Sequence, residues 1–149
     1  VAGTMVIDTL LVGAAQPILA GLFGEPPQLA RFSALPGNVP LLLLLLPLVW
    51  LVAAFGEEFF FRGLLLTAVA ELLGGSRLAW ALAVVVQAAA FGLVHAYQGP
   101  VQAIAIGIGG LVYGAAFLYA GRNLWPLVLA HGINNTLGLS LLTAGLMER

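Results

Sequence analysis

Residues 39–73 read VPLLLLLLPLVWLVAAFGEEFFFRGLLLTAVAELL, an apolar stretch with two adjacent glutamates and an arginine in its second half. The hydrocarbon core of a membrane is about 30 Å thick, and roughly 20 helical residues cross it. At about 1.5 Å of rise per residue, a helix over the whole stretch would be roughly 50 Å long. The stretch therefore predicts a membrane helix that tilts, kinks or protrudes, and Pro47 is the natural place for a kink.

The composition of the whole chain excludes a soluble globular domain. Hydrophobic residues make up 62% of the 149 residues, charged residues only 7%, and the mean hydropathy is +1.09. Ordinary soluble domains carry roughly 25% charged residues. The apolar runs are unbroken, whereas transmembrane β-strands show alternating patterns. We therefore predict an all-α fold that lies in lipid.

Charge and cysteine content narrow the partners and the chemistry. Five cations, all arginine, stand against six acidic residues, and the net charge of −1 leaves no basic surface for nucleic acid. Because cysteine is absent, thiolate chemistry is excluded and a metal would need histidine and carboxylate ligands. The bias toward Ala, Leu, Gly and Arg indicates a prokaryotic genome, and we expect an integral protein of a prokaryotic cell membrane.

Further apolar stretches complete a polytopic bundle, separated by turn-forming segments such as the polar connector 24–38 and Gly74-Gly75-Ser76. No linker or internal repeat divides the chain, so we predict a single integral-membrane domain over residues 1–149. The sequence leaves orientation and oligomeric state open. The predicted spans, about five, cover residues 5–23 with a kink at Gln16-Pro17, 39–73, 78–96, 101–120 with packing glycines at 107, 109, 110 and 114, and 125–144.

Charged groups at bilayer depth cost at least roughly 2.5–3.5 kcal/mol each, which makes them functional candidates. Glu57, Glu58 and Arg62 lie well inside the long stretch. Glu58 and Arg62 are four residues apart with the acid first, which favours an ion pair on one helix face. Glu57 lies about 100° around the helix from Glu58. It has no such partner in the sequence and is our candidate general base.

Two more polar segments repeat the one-turn spacing. Phe91 and His95 share a face of the third span, and His131 and Asn135 share a face of the fifth. Counted from the side of the Gly74–Ser76 turn, Glu57 and His95 lie roughly 24–26 Å deep and the fifth-span pair roughly 10–20 Å deep. We therefore expect one shared cavity. A lone intramembrane His or Asn is more often a helix–helix hydrogen-bond partner, and we interpret Asp8, Gln16, Glu71 and Gln87 as interfacial or packing residues.

The three segments resemble the signature of the CPBP family of intramembrane proteases, also called the Abi family, which includes type II CAAX prenyl endopeptidases and bacteriocin-processing enzymes. The family pattern is EExxxR, then FxxxH, then HxxxN, and this chain has all three motifs in that order. The resemblance covers residues 39–144, while the first span matches only as an upstream helix. Family members usually have more helices, so we expect a truncated or minimal form.

The resemblance implies hydrolysis of a peptide bond in or near the membrane. Glu57 and His95 would hold and activate water, which is the task of a general acid–base pair. His131 and Asn135 would stabilise the oxyanion. Glu58 and Arg62 would orient the base, and Phe91 would support the site. The family favours a metal-free mechanism without cofactor. The implied partners are membrane lipid and a peptide or protein substrate, lipidated ones included.

Three alternatives stay open at the level of sequence. Glu57, His95 and His131 would also suit a zinc site with an open water position, although the chain lacks the helical HExxH motif. A non-proteolytic membrane scaffold or immunity protein would use the same polar cluster only to join helices. A proton-coupled transporter would use it as a relay, against which stands the absence of inverted repeats.

Overall fold

The computed structural model describes residues 1–24 and 32–146, and their regular structure is entirely helical. The predicted all-α fold is therefore confirmed. Most of the polar connector, residues 25–31, lies outside the described residues, as do residues 147–149. The five helices of the described chain are α1 (Ala2–Phe23), α2 (Val39–Leu72), α3 (Arg77–Val94), α4 (Pro100–Tyr119) and α5 (Trp125–Thr143).

Within the described residues, α1 to α4 are long and apolar enough to cross a membrane. The fifth predicted span forms a helix of 19 residues, but α5 does not belong to this apolar set. Its polar residues explain the difference, since His131, Asn134 and Asn135 lie together in its centre. The observed ends of the helices fall within a few residues of the predicted ones.

Helix starts follow familiar capping chemistry. The Asn38 side chain accepts a hydrogen bond from the backbone N–H of Leu41, and Ser76 accepts one from Ala79. Each cap satisfies one of the N–H groups that a first helical turn leaves without a partner. These caps fix where α2 and α3 begin.

The helix α2 is α-helical at both ends and π-helical between them. The π-helical runs cover Val49–Glu57 and Phe59–Leu66, with Glu58 between them. A π-helix closes i→i+5 hydrogen bonds, so it is wider and shorter than an α-helix of the same number of residues, and it occurs often at functional sites. The depth counted for Glu57 from an α-helical rise is therefore too large. The kinks expected at Pro17 and Pro47 stay predictions.

The helices α3 and α4 pack closely through small residues. A Cβ atom on Gly92 would lie 2.5 Å from the Ala103 carbonyl oxygen, and one on Gly110 would lie 3.0 Å from the Ala88 Cα. Backbones approach this closely only where side chains are absent. The close packing predicted for the glycines of the fourth span is therefore confirmed at Gly110.

Buried residues concentrate on the faces that meet other helices, and large apolar side chains cover the outside. One apolar core includes Leu66, Tyr113 and Leu127 and joins α2 to α4 and α5. A second forms where Leu35 meets Leu139 and Leu142 at the end of α5. α1 has no fully buried residue and packs mainly on α4. An apolar exterior of this kind matches lipid.

Candidate active site

A cavity of about 850 Å³ lies among the helices, next to the middle of α2, where residues between 45 and 62 line it. Residues from all five helices line it, so the fold collects side chains that are far apart in the sequence. All seven residues singled out from the sequence are among its lining residues: Glu57, Glu58, Arg62, Phe91, His95, His131 and Asn135.

Glu58 and Arg62 form an ion pair in the interior of the protein. Arg62 Nη1 donates to Glu58 Oε1 at 3.1 Å. The Glu58 side chain is 0% exposed and that of Arg62 is 1% exposed. The i, i+4 pair predicted from the sequence is therefore confirmed. Breaking such a pair on one side leaves a charge without a partner in a region of low dielectric.

Glu58 also holds a histidine from another helix. The Nδ1–H of His131 donates to the same oxygen, Glu58 Oε1, at 2.9 Å. The other ring nitrogen, Nε2, lies 3.9 Å from Glu57 Oε2. His131 thus lies between the two glutamates, and Glu58 fixes its ring. The spacing in the sequence could not predict this link, because the two residues are 73 positions apart.

Glu57 differs from Glu58 in its surroundings. Its side chain is 26% exposed, and it borders the cavity. Adjacent positions in one helix point in different directions, so one carboxylate is enclosed by its partners while the other reaches open space. This division suits one structural and one reactive carboxylate.

His95 lies at the end of α3, where its ring is fixed by the chain itself. Its Nδ1 lies 2.8 Å from the Phe91 carbonyl oxygen. Since a carbonyl oxygen only accepts, Nδ1 carries the proton in this bond and Nε2 of the neutral ring has a free lone pair. The Phe91 ring packs edge-on against His95 and lies 4.5 Å from the Arg62 guanidinium carbon. Phe91 therefore supports both the imidazole and the buried cation.

Close packing fixes α5 against α2. Trp50 Nε1 donates to Thr136 Oγ1 at 3.2 Å. Gly132 makes room for the indole, since a Cβ there would lie 2.5 Å from the Trp50 ring. This contact is next to His131 in the sequence. It sets the distance between the helices that carry Glu58 and His131.

The lining residues that were not assigned to the site from the sequence include Asp8, Tyr113 and Asn134. Asp8, interpreted above as an interfacial or packing residue, accepts a hydrogen bond from Asn134 at 3.2 Å and borders the cavity. A charged residue within an apolar span is a signal for a functional site, and this signal could have placed Asp8 in the site. Tyr113 packs edge-on against His131 with ring centroids 5.8 Å apart, and nothing in the sequence sets this tyrosine apart from a packing residue.

The proposed zinc ligands do not form a ligand set in this arrangement. Across residues 1–24 and 32–146, no three His, Asp or Glu side chains come together as a group that could hold a metal ion. Glu57, His95 and His131 border one cavity without meeting at a common point.

A family model described as type II CAAX prenyl endopeptidase Rce1-like matches this chain. It matches residues 39–137, about two thirds of the chain. The matched part begins at the first residue of α2 and ends within α5, so it contains the three motifs, while α1 lies outside it. No curated protein and no solved structure matched the chain.

Proposed function

The chain belongs to the Rce1-like family of type II CAAX prenyl endopeptidases, and on that premise we propose that it hydrolyses a peptide bond in or near the membrane with Glu57 as the general base. Members of this family are CAAX-type intramembrane proteases, so the protein is an enzyme of the membrane. The single observation that carries the proposed mechanism is that Glu57, His95, His131 and Asn135 all line one cavity.

Glu57 and His95 would activate the attacking water. A water molecule between them donates one hydrogen to a Glu57 oxygen and the other to Nε2 of His95, whose Nδ1 is occupied by the Phe91 carbonyl. As the water oxygen bonds to the substrate carbonyl carbon, Glu57 takes the proton. It then gives that proton to the nitrogen of the leaving amine as the C–N bond breaks, so the carboxylate is regenerated.

His131 and Asn135 would stabilise the charge that develops on the carbonyl oxygen. Fixed donors are most effective at an oxyanion when water is largely excluded. In its imidazolium form, His131 keeps Nδ1–H on Glu58 and offers Nε2–H to the substrate. Glu58 and Arg62 therefore act as positioning residues, because they hold His131 and do not meet the reacting atoms.

The substrate we propose is a peptide or protein segment presented from the membrane, lipidated segments included. The cavity supports this class, since apolar side chains such as Leu45, Val52 and Leu139 line it beside the polar cluster. Such a lining suits an apolar segment on one side of the scissile bond. We propose no resident cofactor.

The deciding experiment measures cleavage of membrane-adjacent peptides, prenylated ones included, by the full chain purified in detergent. We expect Glu57→Gln to lose cleavage by at least about 100-fold, as expected when a general base is removed. Glu71→Gln is the matched control, because it makes the same change on the same helix at an exposed position. It should leave the rate unchanged.

Two further arms separate the alternatives. Cleavage that survives a strong chelator supports the metal-free mechanism, whereas loss with chelator and recovery with zinc would favour the metalloprotease. If wild-type protein shows no cleavage that depends on Glu57, while Glu57→Gln lowers the unfolding temperature well below that of Glu71→Gln, the polar cluster is structural and the scaffold alternative is favoured.

A further inference from the structure

The helix α1 contributes one charged side chain to the cavity, Asp8. Asp8 Oδ2 accepts a hydrogen bond from Asn134 Nδ2 of α5 at 3.2 Å. The other oxygen, Oδ1, lies over Gly109 of α4, where an added Cβ would approach it to 2.8 Å. Because Gly109 has no side chain, the Asp8 carboxylate fits against α4 at this point. Its hydrogen bond to Asn134 links α1 to α5.

Asn134 lies in α5 between His131 and Thr136, which are both hydrogen-bonded to another helix. His131 is held by Glu58 at 2.9 Å, and Thr136 accepts from Trp50 at 3.2 Å. Both of these ties come from α2. Asp8 supplies a third such bond, from α1, so bonds to two different helices restrict the rotation of α5 about its axis.

Asn135 lies between Asn134 and Thr136, whose side chains are hydrogen-bonded to other helices. In the part of the chain that the structure describes, its side chain makes no hydrogen bond, and it borders the cavity. Its amide is therefore free for a substrate, and its direction depends on the hydrogen bonds of Asn134 and Thr136 on either side. A change in the rotation of α5 would move Asn135 and His131 together.

We propose that Asp8 is a positioning residue of the active site, which fixes α5 through Asn134 so that His131 and Asn135 address the same oxyanion. The proposal rests on the proposed function for its catalytic consequence. It extends the working unit beyond the family match at residues 39–137 to a helix that the match leaves out. A positioned donor pair acts mainly in the transition state, so losing it lowers kcat more than it raises KM.

The kinetic test compares three variants of the full chain. We expect Asp8→Ala to lower kcat about 10- to 100-fold, the loss typical of a small misplacement of reacting groups, with KM within about twofold. Asp8→Asn should largely restore kcat, because its side-chain oxygen still accepts from Asn134. Gln16→Ala is the control, since it removes the 3.4 Å hydrogen bond of α1 to Gln102 outside the cavity.

Histidine NMR gives a second readout that needs no cleavage. The chain has two histidines, so ¹⁵N-histidine labelling yields two rings, assigned with His95→Gln. Asp8→Ala should shift the Nδ1 signal of His131 while that of His95 stays in place, and Asp8→Asn should leave both unchanged. If the wild type cleaves nothing, the proposed function fails, and the His131 signal still decides whether Asp8 positions that ring.

Two results would overturn the proposal. One is an unchanged kcat together with an unchanged His131 signal in Asp8→Ala, with stability lowered as in Gln16→Ala. The other is an Asp8→Asn variant as impaired as Asp8→Ala. If Asp8→Ala does not fold, Gly109→Ala provides the same test by displacing the carboxylate. Gly107→Ala is its control on the same helix, where the nearest atom to a Cβ is 3.5 Å away.

Discussion

Among the described residues, Arg62 is the largest fully buried side chain. Its charge is balanced by the Glu58 carboxylate of the same helix. Glu58 in turn serves two donors with one oxygen, Arg62 at 3.1 Å and His131 at 2.9 Å. The ion pair therefore does more than neutralise a charge. Because Arg62 holds Glu58 and Glu58 holds His131, the rotation of α2 about its axis determines the orientation of the His131 ring on α5.

Removing one partner of this pair should cost more than removing both. We expect Arg62→Met to lower the free energy of unfolding by about 3–5 kcal/mol, because Glu58 is left as a buried, unmatched charge. The double variant Glu58→Gln with Arg62→Met should recover much of that loss without recovering activity, since the carboxylate that holds His131 is gone. Unfolding in detergent micelles and peptide cleavage measure the two effects.

The control for this pair is Arg77→Met, which removes an exposed arginine and should leave stability unchanged. Equal destabilisation of the single and double variants would contradict the prediction, because it would mean that packing volume and not charge determines the loss.

Residues linked within one helix were predictable, and residues linked between helices were not. Glu58 with Arg62 and Phe91 with His95 follow from spacing alone, since four positions make one turn. The bond between Asp8 and Asn134 joins residues 126 positions apart. It depends on how α1 packs against α4 and α5, and no pattern in the sequence specifies that packing.

At the scale of the helix, hydropathy located the helices but not their internal geometry. The π-helical character of α2 had no counterpart in the sequence, because an apolar run reads the same whether its bonds close at i+4 or i+5. The result matters for the site, since Glu58 lies between the two π-helical runs.

The contact of α5 with α2 should depend strongly on Gly132. A methyl group there would lie 2.5 to 2.7 Å from three atoms of the Trp50 ring, so Gly132→Ala must push the helices apart. We expect a loss of about 1–3 kcal/mol in stability, typical of overpacking, and a fall in cleavage because His131 leaves Glu58.

Gly138→Ala tests whether the effect comes from the contact or from the glycine itself. It lies in the same helix with no atom within 4 Å of an added Cβ, so it should keep or raise the unfolding temperature, since Ala is favoured over Gly in helices by about 0.5–1 kcal/mol. Equal destabilisation by the two variants would contradict the role of Trp50.

At the scale of the whole molecule, successive helices run in opposite directions, as short connections in a bundle require. The connections after α2 and α4 lie at one end, where Arg122 packs 5.1 Å from the Trp80 ring. At the other end, the Gly37 N–H donates to the Thr143 carbonyl oxygen at 2.8 Å.

Cysteine labelling can test this arrangement directly, because the chain has no cysteine of its own. In sealed vesicles of one orientation, Leu72→Cys and Tyr119→Cys should react with an impermeant maleimide from the same side. Ser33→Cys and Leu146→Cys should react from the opposite side. All four positions are exposed, so labelling of all four from one side would contradict the alternation.

The π-helical stretch of α2 also makes the protein sensitive to insertions and deletions between Trp50 and Glu58. Trp50 and Glu58 both bond to α5, so the number of residues between them is as important as their identity. Losing one residue there would turn one of the two side chains away from α5 relative to the other, while the hydropathy and all three motifs stayed intact. Natural variation in this segment should therefore exchange one apolar residue for another and avoid insertions and deletions.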